Sequence, residues 1–383
     1  MMKVLFVAET LEPRDGWASY SLGLLQGLLS LGVRARVLLD RRAPPPTPPV
    51  EWIACLSSPL AALVRPEAML WNAAQIVKHR GQSELLHWLV EPYLTAAVPG
   101  LLPPYCVTLH GTYAVSPFRE RWPTPWLFRR ALRAARRVFC VSTYTSEAVS
   151  AQVRLENLEV IHNGHAWPVA APEMTPPQPL PDAGRGDRGD RGEPSGPCLL
   201  CVGALKERKG YHVALKAVAR LQKRYGNICY RIIGDDSDRK YVDHLRELIA
   251  QLGLERNVEM LGKVDEATLR TSYEKADAFV LAPVNSGQSF EGYGIAYLEA
   301  GAHALPVVGS AGCGAAEAVD DCETGFLAPQ GDDSALAEHI ARLLDDRALA
   351  ARLGENGRRK AERQRWEQVA RRYLEAYERC LGD

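Results

Sequence analysis

Short apolar runs alternate with amphipathic stretches along most of this sequence. The run KVLFVAE (3–9) is almost continuously apolar until its terminal acid, which is typical of a strand buried on both faces. Leucines then recur at helical spacing through 15–33, and the apolar run RARVLL (34–39) follows. A strand, a helix and a second strand this close together form a βαβ unit, which requires a parallel sheet.

The alternation continues and divides the chain in two. Residues 171–197 interrupt it with proline, glycine and repeated Gly-Asp-Arg, which leaves little to bury and predicts an exposed linker or insertion. We expect two Rossmann-like, doubly wound α/β domains at 1–170 and 198–364, with helices at 211–225 and 239–252. Two such halves are expected to bind a ligand in the cleft between them. Further strands are predicted at 85–91, 106–111, 137–142, 158–164, 198–203, 229–234, 257–262, 278–283 and 305–310.

Composition excludes several classes of protein. The 46% hydrophobic and 24% charged residues are typical of a globular protein, and a formal net charge of zero gives no global attraction to nucleic acid or membranes. The nine cysteines are odd in number and scattered, which favours reduced thiols over a disulfide framework. Cys198-x-x-Cys201 lacks a second ligand pair at zinc-finger spacing and is interpreted as strand packing. No apolar run reaches the roughly 18–20 residues of a membrane span, so we expect a cytoplasmic protein.

The stretch SFEGYGIAYLEA (289–300) carries the clearest sign of a ligand site. Gly292 and Gly294 allow the backbone to approach a ligand closely, and the apolar pattern after them predicts a helix that begins near Gly294. The N–H groups at such a helix start suit a phosphate. Glu291 and Glu299 cannot usefully contact a phosphate and should accept hydrogen bonds from hydroxyls. A nucleotide sugar, with phosphates between two hydroxyl-rich rings, meets both demands.

This Glu-x7-Glu pair resembles the C-terminal signature of the retaining GT-B glycosyltransferases of family 4. The resemblance covers nearly the whole chain and implies the GT-B fold, with an acceptor domain first and a donor domain second. It also implies that the last helix, 365–383, crosses back to pack on the first domain through the stripe Val369, Tyr373, Leu374 and Tyr377. The other matching motifs are TLHGTY (108–113), CVSTYTSEAV (140–149), VIHNG (160–164), VGALKERKG (202–210), IIGDD (232–236), VEMLGKV (258–264) and GAAEAVDDCETGFL (314–327).

The resemblance assigns roles to six residues of the stretch 289–300. It implies that Glu291 contacts the hydroxyls of the donor sugar near the reaction centre and that Glu299 holds the ribose hydroxyls. An ordinary glutamate on a helix face is the plain alternative for Glu299. Between the two acids, the family binds its ligand through backbone N–H groups, which belong here to Gly292, Tyr293, Gly294 and Ile295.

Lys209 matches the family lysine that neutralises the diphosphate as the glycosidic bond breaks. A solvated lysine at a turn is the alternative. The family often has an arginine where this chain has Ala204, so Arg208 or Lys206 is the candidate for the missing charge.

In the first half, His110 matches a family histidine that approaches the donor sugar, and a structural histidine is the alternative. Gly16 fits the family's glycine-rich N-terminal loop and is assigned to the donor site. The neighbouring Asp15 and Trp17 depart from that loop, so no acceptor is carried over.

Two further features have competing interpretations. Residues 119–137 interleave three large aromatics with seven arginines, which suits contact with an anionic membrane, and the alternative is a helix packed by Leu127, Ala131 and Leu132. The DDSD stretch (235–238) contains an Asp-x-Asp, the metal motif of a different glycosyltransferase fold. It follows a predicted strand and is expected to cap a helix, so no metal is expected.

We therefore expect a retaining hexosyltransferase that uses a UDP-, GDP- or ADP-hexose, with no metal and no separate cofactor. Its acceptor, a glycan, a lipid-linked sugar or a small molecule, is left open, and peripheral contact with the inner membrane face through 119–137 stays an option. Two alternatives remain: a nucleotide-sugar 2-epimerase of the same fold, and a non-catalytic family member that binds a nucleotide. Closing of the cleft is expected to bring His110 toward Glu291 and to exclude water.

Overall fold

The computed structural model describes residues 1–12, 16–167 and 196–382. Two compact units are present, Met1–Ala166 with Gln364–Asp383, and Trp167–Arg363. Each contains one parallel sheet flanked by helices, so the predicted pair of Rossmann-like α/β domains is confirmed. Asp15 and nearly all of the predicted linker 171–197 lie outside the described residues.

The sheet of the first unit has seven parallel strands. They are β1 (Lys3–Val7), β2 (Arg34–Asp40), β3 (Glu51–Leu56), β4 (Leu85–Trp88), β5 (Tyr105–Leu109), β6 (Arg137–Cys140) and β7 (Leu158–Val160), in the order β3-β2-β1-β4-β5-β6-β7. In this order the chain reverses direction across the sheet between β1 and β4. The loops that follow the strands at such a switch point are where open α/β sheets bind ligands.

The helices of the first unit connect these strands. They are α1 (Gly16–Ser30), α2 (Pro59–Val64), α3 (Pro66–His79), α4 (Thr112–Val115), α5 (Thr124–Ala134) and α6 (Thr143–Ser150), with 3-10 turns at Glu91–Ala96 and Ser116–Arg119. Ser142 caps α6 by accepting a hydrogen bond from the Thr145 N–H.

The second unit contains a six-stranded parallel sheet. Its strands are β8 (Cys198–Val202), β9 (Cys229–Ile233), β10 (Val258–Gly262), β11 (Ala278–Val280), β12 (Val307–Ser310) and β13 (Gly325–Ala328), in the order β10-β9-β8-β11-β12-β13. Cys198 and Cys201 are buried within β8, which confirms the interpretation of this pair as strand packing. All nine cysteines of the chain are free thiols.

Two helices of this unit match their predicted bounds, 211–225 and 239–252, and a third begins next to Gly294 as predicted. The helices of the unit are α7 (Tyr211–Tyr225), α8 (Arg239–Leu252), α9 (Glu266–Lys275), α10 (Ile295–Ala302), α11 (Asp333–Asp345) and α12 (Arg347–Glu362), with 3-10 turns at Glu207–Lys209 and Gly314–Ala318. The Asp238 carboxylate accepts a hydrogen bond from the Tyr241 N–H and caps α8, so the capping interpretation of the DDSD stretch is confirmed.

Two strands were not predicted from the sequence, and both lie at the edge of a sheet. Glu51 and Trp52 at the start of β3 are exposed, and a proline-rich segment precedes them. The other strand, β13, lies at an edge of the second sheet and begins with Gly325. A Cβ added there would lie 2.3 Å from the Val307 carbonyl oxygen. The edge strands β7 and β10 were predicted, so position at an edge is not sufficient to hide a strand; β3 opens with exposed residues and β13 has only four residues, which leaves each with a short apolar run.

The last helix, α13 (Trp366–Gly382), belongs to the first unit, as predicted. Of the four residues of its predicted stripe, Val369, Tyr373 and Tyr377 are fully buried against the first core and Leu374 is partly buried. Close packing of α1 on α13 depends on glycine. A Cβ at Gly27 would lie 2.7 Å from the Ala370 Cβ and 2.8 Å from the Trp366 carbonyl oxygen.

A buried hydrogen-bond network joins α13 to the sheet. The Tyr20 hydroxyl donates to the Tyr373 hydroxyl at 2.8 Å and lies 2.8 Å from the Thr108 hydroxyl. His87 connects the same Thr108 hydroxyl, at 2.9 Å, to the Tyr377 hydroxyl, at 2.5 Å. Burial lowers the pKa of His87 to about 3, so its ring is neutral at pH 7. The network therefore satisfies buried polar groups without introducing a charge.

We predict that Gly27→Ala destabilises the protein by about 1–3 kcal/mol, because the new methyl group overpacks the contact between α1 and α13. Intrinsic helix propensity acts in the opposite direction and favours alanine by roughly 1 kcal/mol, so the sign of the change is diagnostic. Urea unfolding of the whole chain measures it. Gly382→Ala, which meets open space at the end of α13, is the matched control, and a gain in stability for Gly27→Ala would contradict the prediction.

Candidate functional site

The loop between β8 and α7 is held tightly against the chain that follows β11. Gly210 has φ of +68°, and a Cβ there would lie 1.6 Å from the Ala282 carbonyl oxygen, so only glycine permits this approach. The Val284 N–H donates to the Arg208 carbonyl at 3.0 Å. These contacts fix the backbone of Arg208 and Lys209, the two cations that the sequence placed at the donor site.

Glu291 lies between these two cations. Its carboxylate accepts a hydrogen bond from Arg208 Nη1, and its Oε1 lies 3.0 Å from Lys209 Nζ. Only 8% of Glu291 is exposed. Burial alone would raise the pKa of this carboxyl group, but the positive charges of Arg208 and then Lys209 outweigh burial and lower the pKa to about 2. Glu291 is therefore charged at neutral pH and balances one of the two cations.

The helix start predicted near Gly294 is present. Gly294 has φ of +74° and precedes α10, and no side chain caps the helix. A Cβ at Gly294 would lie 2.8 Å from Cδ2 of Tyr297 and 3.0 Å from the Ala315 Cβ, so a side chain has no room there. The helix start therefore presents backbone N–H groups and a partial positive charge, close in sequence to the Glu291 cluster.

The four residues of the predicted backbone cradle all lie at this helix start. Gly292 and Ile295 are partly exposed, whereas Tyr293 and Gly294 are buried. Below them, the Tyr297 hydroxyl donates to the Leu281 carbonyl at 2.6 Å and joins α10 to the end of β11. The cradle is thereby anchored to the same part of the sheet as Arg208 and Lys209.

Glu299 lies half-buried further along α10 among neutral partners. The Tyr273 hydroxyl donates to Glu299 Oε2 at 3.2 Å. Burial raises the pKa of Glu299, and hydrogen bonds from the side chains of Tyr273 and Trp167 oppose that rise. The two glutamates of the motif therefore differ in environment, because one is paired with cations and the other with neutral donors.

His110 and Gly16 lie in the first unit, at the ends of elements that lead to the same group of loops. His110 follows β5, and its N–H donates to Glu91 Oε1 at 2.8 Å. The ring Nε2 lies 3.0 Å from the Leu89 carbonyl oxygen, which can only accept, so Nε2 carries the proton and Nδ1 is the acceptor. Gly16 is exposed at the start of α1, and the ring of the adjacent Trp17 lies 4.5 Å from that of Tyr113.

The shifted pKa values of His110 and of its neighbour Glu91 both favour the uncharged form of the side chain. Burial lowers the pKa of His110 to about 3, against the effect of its hydrogen bond to Leu89. Burial also raises the pKa of Glu91 to about 8, although hydrogen bonds from the backbone and from the Trp17 side chain lower it. Glu91 was not predicted from the sequence, because a single glutamate at the end of a strand has no distinguishing pattern.

The exposure of Lys206 distinguishes it from Arg208 as a source of the charge that is missing at Ala204. Lys206, the alternative to Arg208 for the missing charge, is exposed at the start of the 3-10 turn, whereas Arg208 contacts Glu291. Trp167 and Tyr273, the partners of Glu299, were not predicted. Within residues 1–12, 16–167 and 196–382, no group of three or more His, Cys, Asp or Glu side chains is arranged to hold a metal ion.

Residues 119–137 form α5 and the turn before it. Phe128, Ala131 and Leu132 are buried, whereas Trp122 is 84% exposed and Trp126 is 54% exposed. The helix is therefore packed on one face, while Trp126 on α5 and Trp122 in the turn before it are exposed, and the Arg130 guanidinium lies over the Trp126 ring. No helix among the described residues combines the length and the apolar character needed to cross a bilayer.

Two family models match this chain. Residues 188–360 match the model described as "Glycosyl transferases group 1", and residues 14–165 match the model described as "Glycosyltransferase Family 4". The family 4 model therefore matches most of the first unit, and the group 1 model matches most of the second.

Similar curated proteins are glycosyltransferases. The chain is 30% identical over 200 residues to the GDP-mannose-dependent α-(1-6)-phosphatidylinositol monomannoside mannosyltransferase of Mycolicibacterium smegmatis, a match that covers 50% of this chain and 52% of that protein. It is 34% identical over 179 residues to the putative colanic acid biosynthesis glycosyltransferase WcaL of Escherichia coli, with 46% and 43% covered. The chain thus spans about half the length of the curated relatives it matches.

Solved structures with the same fold match this chain over almost its whole length. HepE from Anabaena, in complex with UDP and glucose, has a TM-score of 0.74 and 20% identity, and the match covers 99% of this chain and all of HepE. Sucrose-phosphate synthase from Thermosynechococcus elongatus has a TM-score of 0.77 and 21% identity, with both chains fully covered. At these identities the likeness shows the fold, which is the predicted GT-B type.

We predict that Glu291→Gln lowers the free energy of unfolding near pH 7, because it leaves two cations without their counter-charge. The folded-state pKa of Glu291, about 2, lies below its ordinary value of 4.5. The stabilisation is therefore complete above pH 4.5 and is lost as the pH falls toward 2. At pH 3 the gap in unfolding free energy between wild type and variant should be smaller by about 1–2 kcal/mol than at pH 7.

Chemical denaturation at pH 7, 5, 4 and 3 measures this gap. Glu259→Gln is the matched control, because Glu259 pairs with Arg231 at 2.8 Å in a more exposed position on the same sheet. A gap for Glu291→Gln that stays constant across this pH range would contradict the assigned ion cluster.

Proposed function

We propose that this chain is a group 1 glycosyl transferase of the GT-B type, and that it transfers a hexosyl unit from a nucleotide-diphosphate sugar to an acceptor, with retention of the anomeric configuration. The match of its two halves to the two family models supports the first part of this proposal. The observation that carries this proposal is the cluster of Glu291, Arg208 and Lys209 next to the uncapped start of α10. Two cations and a row of N–H groups suit a diphosphate, and the carboxylates at 291 and 299 suit hydroxyl groups.

The diphosphate is proposed to bind to Arg208, Lys209 and the backbone N–H groups of residues 292–295. In the structure both cations contact Glu291, so a bound diphosphate competes with this carboxylate for them. Arg208 thereby supplies the charge that the family often places at the position of Ala204. Because the cations are already held in place, little reorganisation is needed when negative charge develops on the leaving phosphate.

The proposed reaction exchanges one bond at the anomeric carbon for another. The bond from C1 of the hexose to the β-phosphate oxygen breaks, and a bond from C1 to the acceptor oxygen forms on the same face of the ring. The acceptor's proton passes to the departing phosphate oxygen, so the products are the glycosylated acceptor and the nucleoside diphosphate. Arg208 and Lys209 stabilise the charge that builds up on that phosphate, and Glu291 orients the sugar hydroxyls.

His110 is proposed to bind the donor sugar as a neutral hydrogen-bond acceptor. Its Nε2 proton is engaged with the Leu89 carbonyl, which leaves Nδ1 to accept a hydrogen bond from a hydroxyl group. The lowered pKa keeps the ring neutral at the pH of a cell. Gly16 is proposed to contribute to the same site through its backbone, since its position at the start of α1 carries no side chain.

The names of the relatives support a hexose nucleotide as donor. One relative is described as GDP-mannose-dependent, and HepE was solved with UDP and glucose. These proteins use or bind different bases, so we propose a nucleotide hexose as the donor without choosing between uridine, guanosine and adenosine. No metal ion is part of the proposal.

We predict that Lys209→Ala lowers kcat/KM for glycosyl transfer by about 10²–10³-fold, because it removes a charge that stabilises the transition state. A thermal-shift screen of UDP-, GDP- and ADP-hexoses first identifies the donor, since a ligand that binds the folded state raises Tm. Release of the nucleoside diphosphate is then measured with a panel of acceptors. Lys206→Ala removes an exposed lysine from the same turn and should retain wild-type rates.

The same assay distinguishes the alternatives. Conversion of the donor into an isomeric nucleotide sugar without acceptor would identify a 2-epimerase. Binding of a nucleotide without turnover on any acceptor would identify a non-catalytic protein. Acceptor-dependent release of the nucleotide, with a β-linked product from an α-linked donor, would exclude the retaining mechanism while leaving the transferase assignment in place.

We also propose that the first unit contacts an anionic membrane surface through α5 and the preceding turn. Trp122 and Trp126 are exposed, and the Arg130 guanidinium lies 5.6 Å from the Trp126 ring centroid. The start of α5 is tied to α2 by a hydrogen bond of 2.6 Å from the Thr124 hydroxyl to the Leu63 carbonyl, and the next residue, Val64, is 60% exposed. Aromatic, aliphatic and basic groups on one surface suit the interface of a bilayer.

We predict that Trp122→Ala combined with Trp126→Ala weakens binding to vesicles that contain phosphatidylglycerol by about tenfold, because the aromatic anchors are lost. Co-sedimentation of the full chain with vesicles measures the binding, and binding should also fall as salt is raised. Trp52→Ala, at the edge strand β3, is the matched control. If the wild-type protein stays in the supernatant with both anionic and neutral vesicles, the proposed contact is wrong.

A further inference from the structure

Trp167 occupies a special position along the chain. It is the first residue of the second unit, directly after the point where the chain leaves the first one. At that point the His165 N–H donates to the Gln364 carbonyl at 3.1 Å, so the outgoing and returning segments run side by side. No motif identified from the sequence includes Trp167, although the VIHNG motif ends only three residues before it.

The side chain of Trp167 belongs to an aromatic cluster around Glu299. Its ring lies 5.2 Å from that of His303 and 6.1 Å from that of Tyr273, and these two rings stack on each other at 4.9 Å. The Arg270 guanidinium lies over the Trp167 ring, 5.8 Å from its centroid. The indole is therefore held in place by packing and is not a freely rotating surface side chain.

Two neutral donors from this cluster reach the same carboxylate. The Tyr273 hydroxyl and the Trp167 side chain, whose only donor is the indole N–H, both hydrogen-bond to Glu299. An ionised carboxylate offers about four lone-pair sites. With two of them occupied, about two remain, which is the number that the vicinal 2′- and 3′-hydroxyls of a ribose require.

We infer that Trp167 is a positioning residue for Glu299, and that its indole N–H orients the carboxylate toward the ribose hydroxyls of a bound nucleotide. This inference rests on the proposed function, because it assumes that Glu299 holds the ribose. The chemical class of ligand that it concerns is a nucleoside diphosphate with an intact 2′,3′-diol.

The test compares a nucleotide with its 2′,3′-dideoxy form. Calorimetric titration of UDP, GDP and ADP into the full chain selects the tightest of the three, and the ratio of the dideoxy to the ribose dissociation constant is then measured. We expect a ratio of about ten or more in the wild type and close to one in Glu299→Ala. In Trp167→Phe, which keeps an aromatic ring but lacks the N–H, the ratio should fall at least threefold, with the loss confined to the ribose form.

Trp71→Phe is the matched control. It also deletes an indole N–H hydrogen bond, of 2.8 Å to the Cys55 carbonyl, but it does so in the first unit. Its ratio should equal that of the wild type. If Trp167→Phe lowers Tm strongly, incorporation of 3-benzothienylalanine at position 167 keeps the bicyclic shape without the N–H and provides the same measurement.

The outcomes separate this inference from the proposed function. If Trp167→Phe retains the wild-type ratio, or weakens both forms of the nucleotide equally, Trp167 does not act through Glu299 and the inference is wrong, while the donor site stands. A wild-type ratio near one overturns the role of Glu299 and with it the inference. If UDP, GDP and ADP all fail to bind, the proposed function itself fails.

Discussion

The ion cluster of Glu291, Arg208 and Lys209 is the constraint on which the second unit's site depends. A carboxylate that is 8% exposed would be unstable as an anion without cationic partners, and two adjacent cations need an acid to relieve their repulsion. The backbone contact at Gly210, which no other residue could make, holds the two cations at the end of the sheet. The ion pairs therefore join the loop after β8 to the chain just before α10, and the uncapped start of α10 lies next to this junction.

In the first unit, by contrast, three largely buried titratable side chains are uncharged. His87 and His110 both have pKa values lowered to about 3, and the pKa of Glu91 is raised to about 8, so these side chains are neutral near pH 7. Hydroxyl groups of Tyr20, Thr108, Tyr373 and Tyr377 connect His87 to α13. A neutral histidine at the end of β5 can accept a hydrogen bond from a hydroxyl group without adding a charge to this core.

Much of this arrangement could be predicted from the sequence, and the failures have physical reasons. Interior strands were all identified by their apolar runs, whereas β3 opens with exposed residues and β13 is a four-residue strand that opens with glycine. Lys209, Glu291 and the start of α10 belong to local motifs, so their spacing was sufficient to locate them. Trp167 and Tyr273 reach Glu299 from segments far away in sequence, and a contact of that kind leaves no periodic signal along the chain. Arg208 was one of two candidates, and only the contact with Glu291 distinguished it from Lys206.

The two glutamates of the motif are close in sequence but differ in the charge of their hydrogen-bond partners. Both are desolvated, and desolvation by itself raises the pKa of a carboxyl group. At Glu291 the fixed cations reverse that effect, and the carboxyl group is an anion at neutral pH. At Glu299 the partners are a phenol and an indole, which cannot neutralise a charge but do fix its direction. A carboxylate whose orientation is set by neutral donors keeps lone pairs for further hydrogen bonds, and Lys209 acts on it only through its electrostatic field, the weakest of these influences on its pKa. The spacing of the motif thus places an acid paired with cations just before α10 and an acid paired with neutral donors within it.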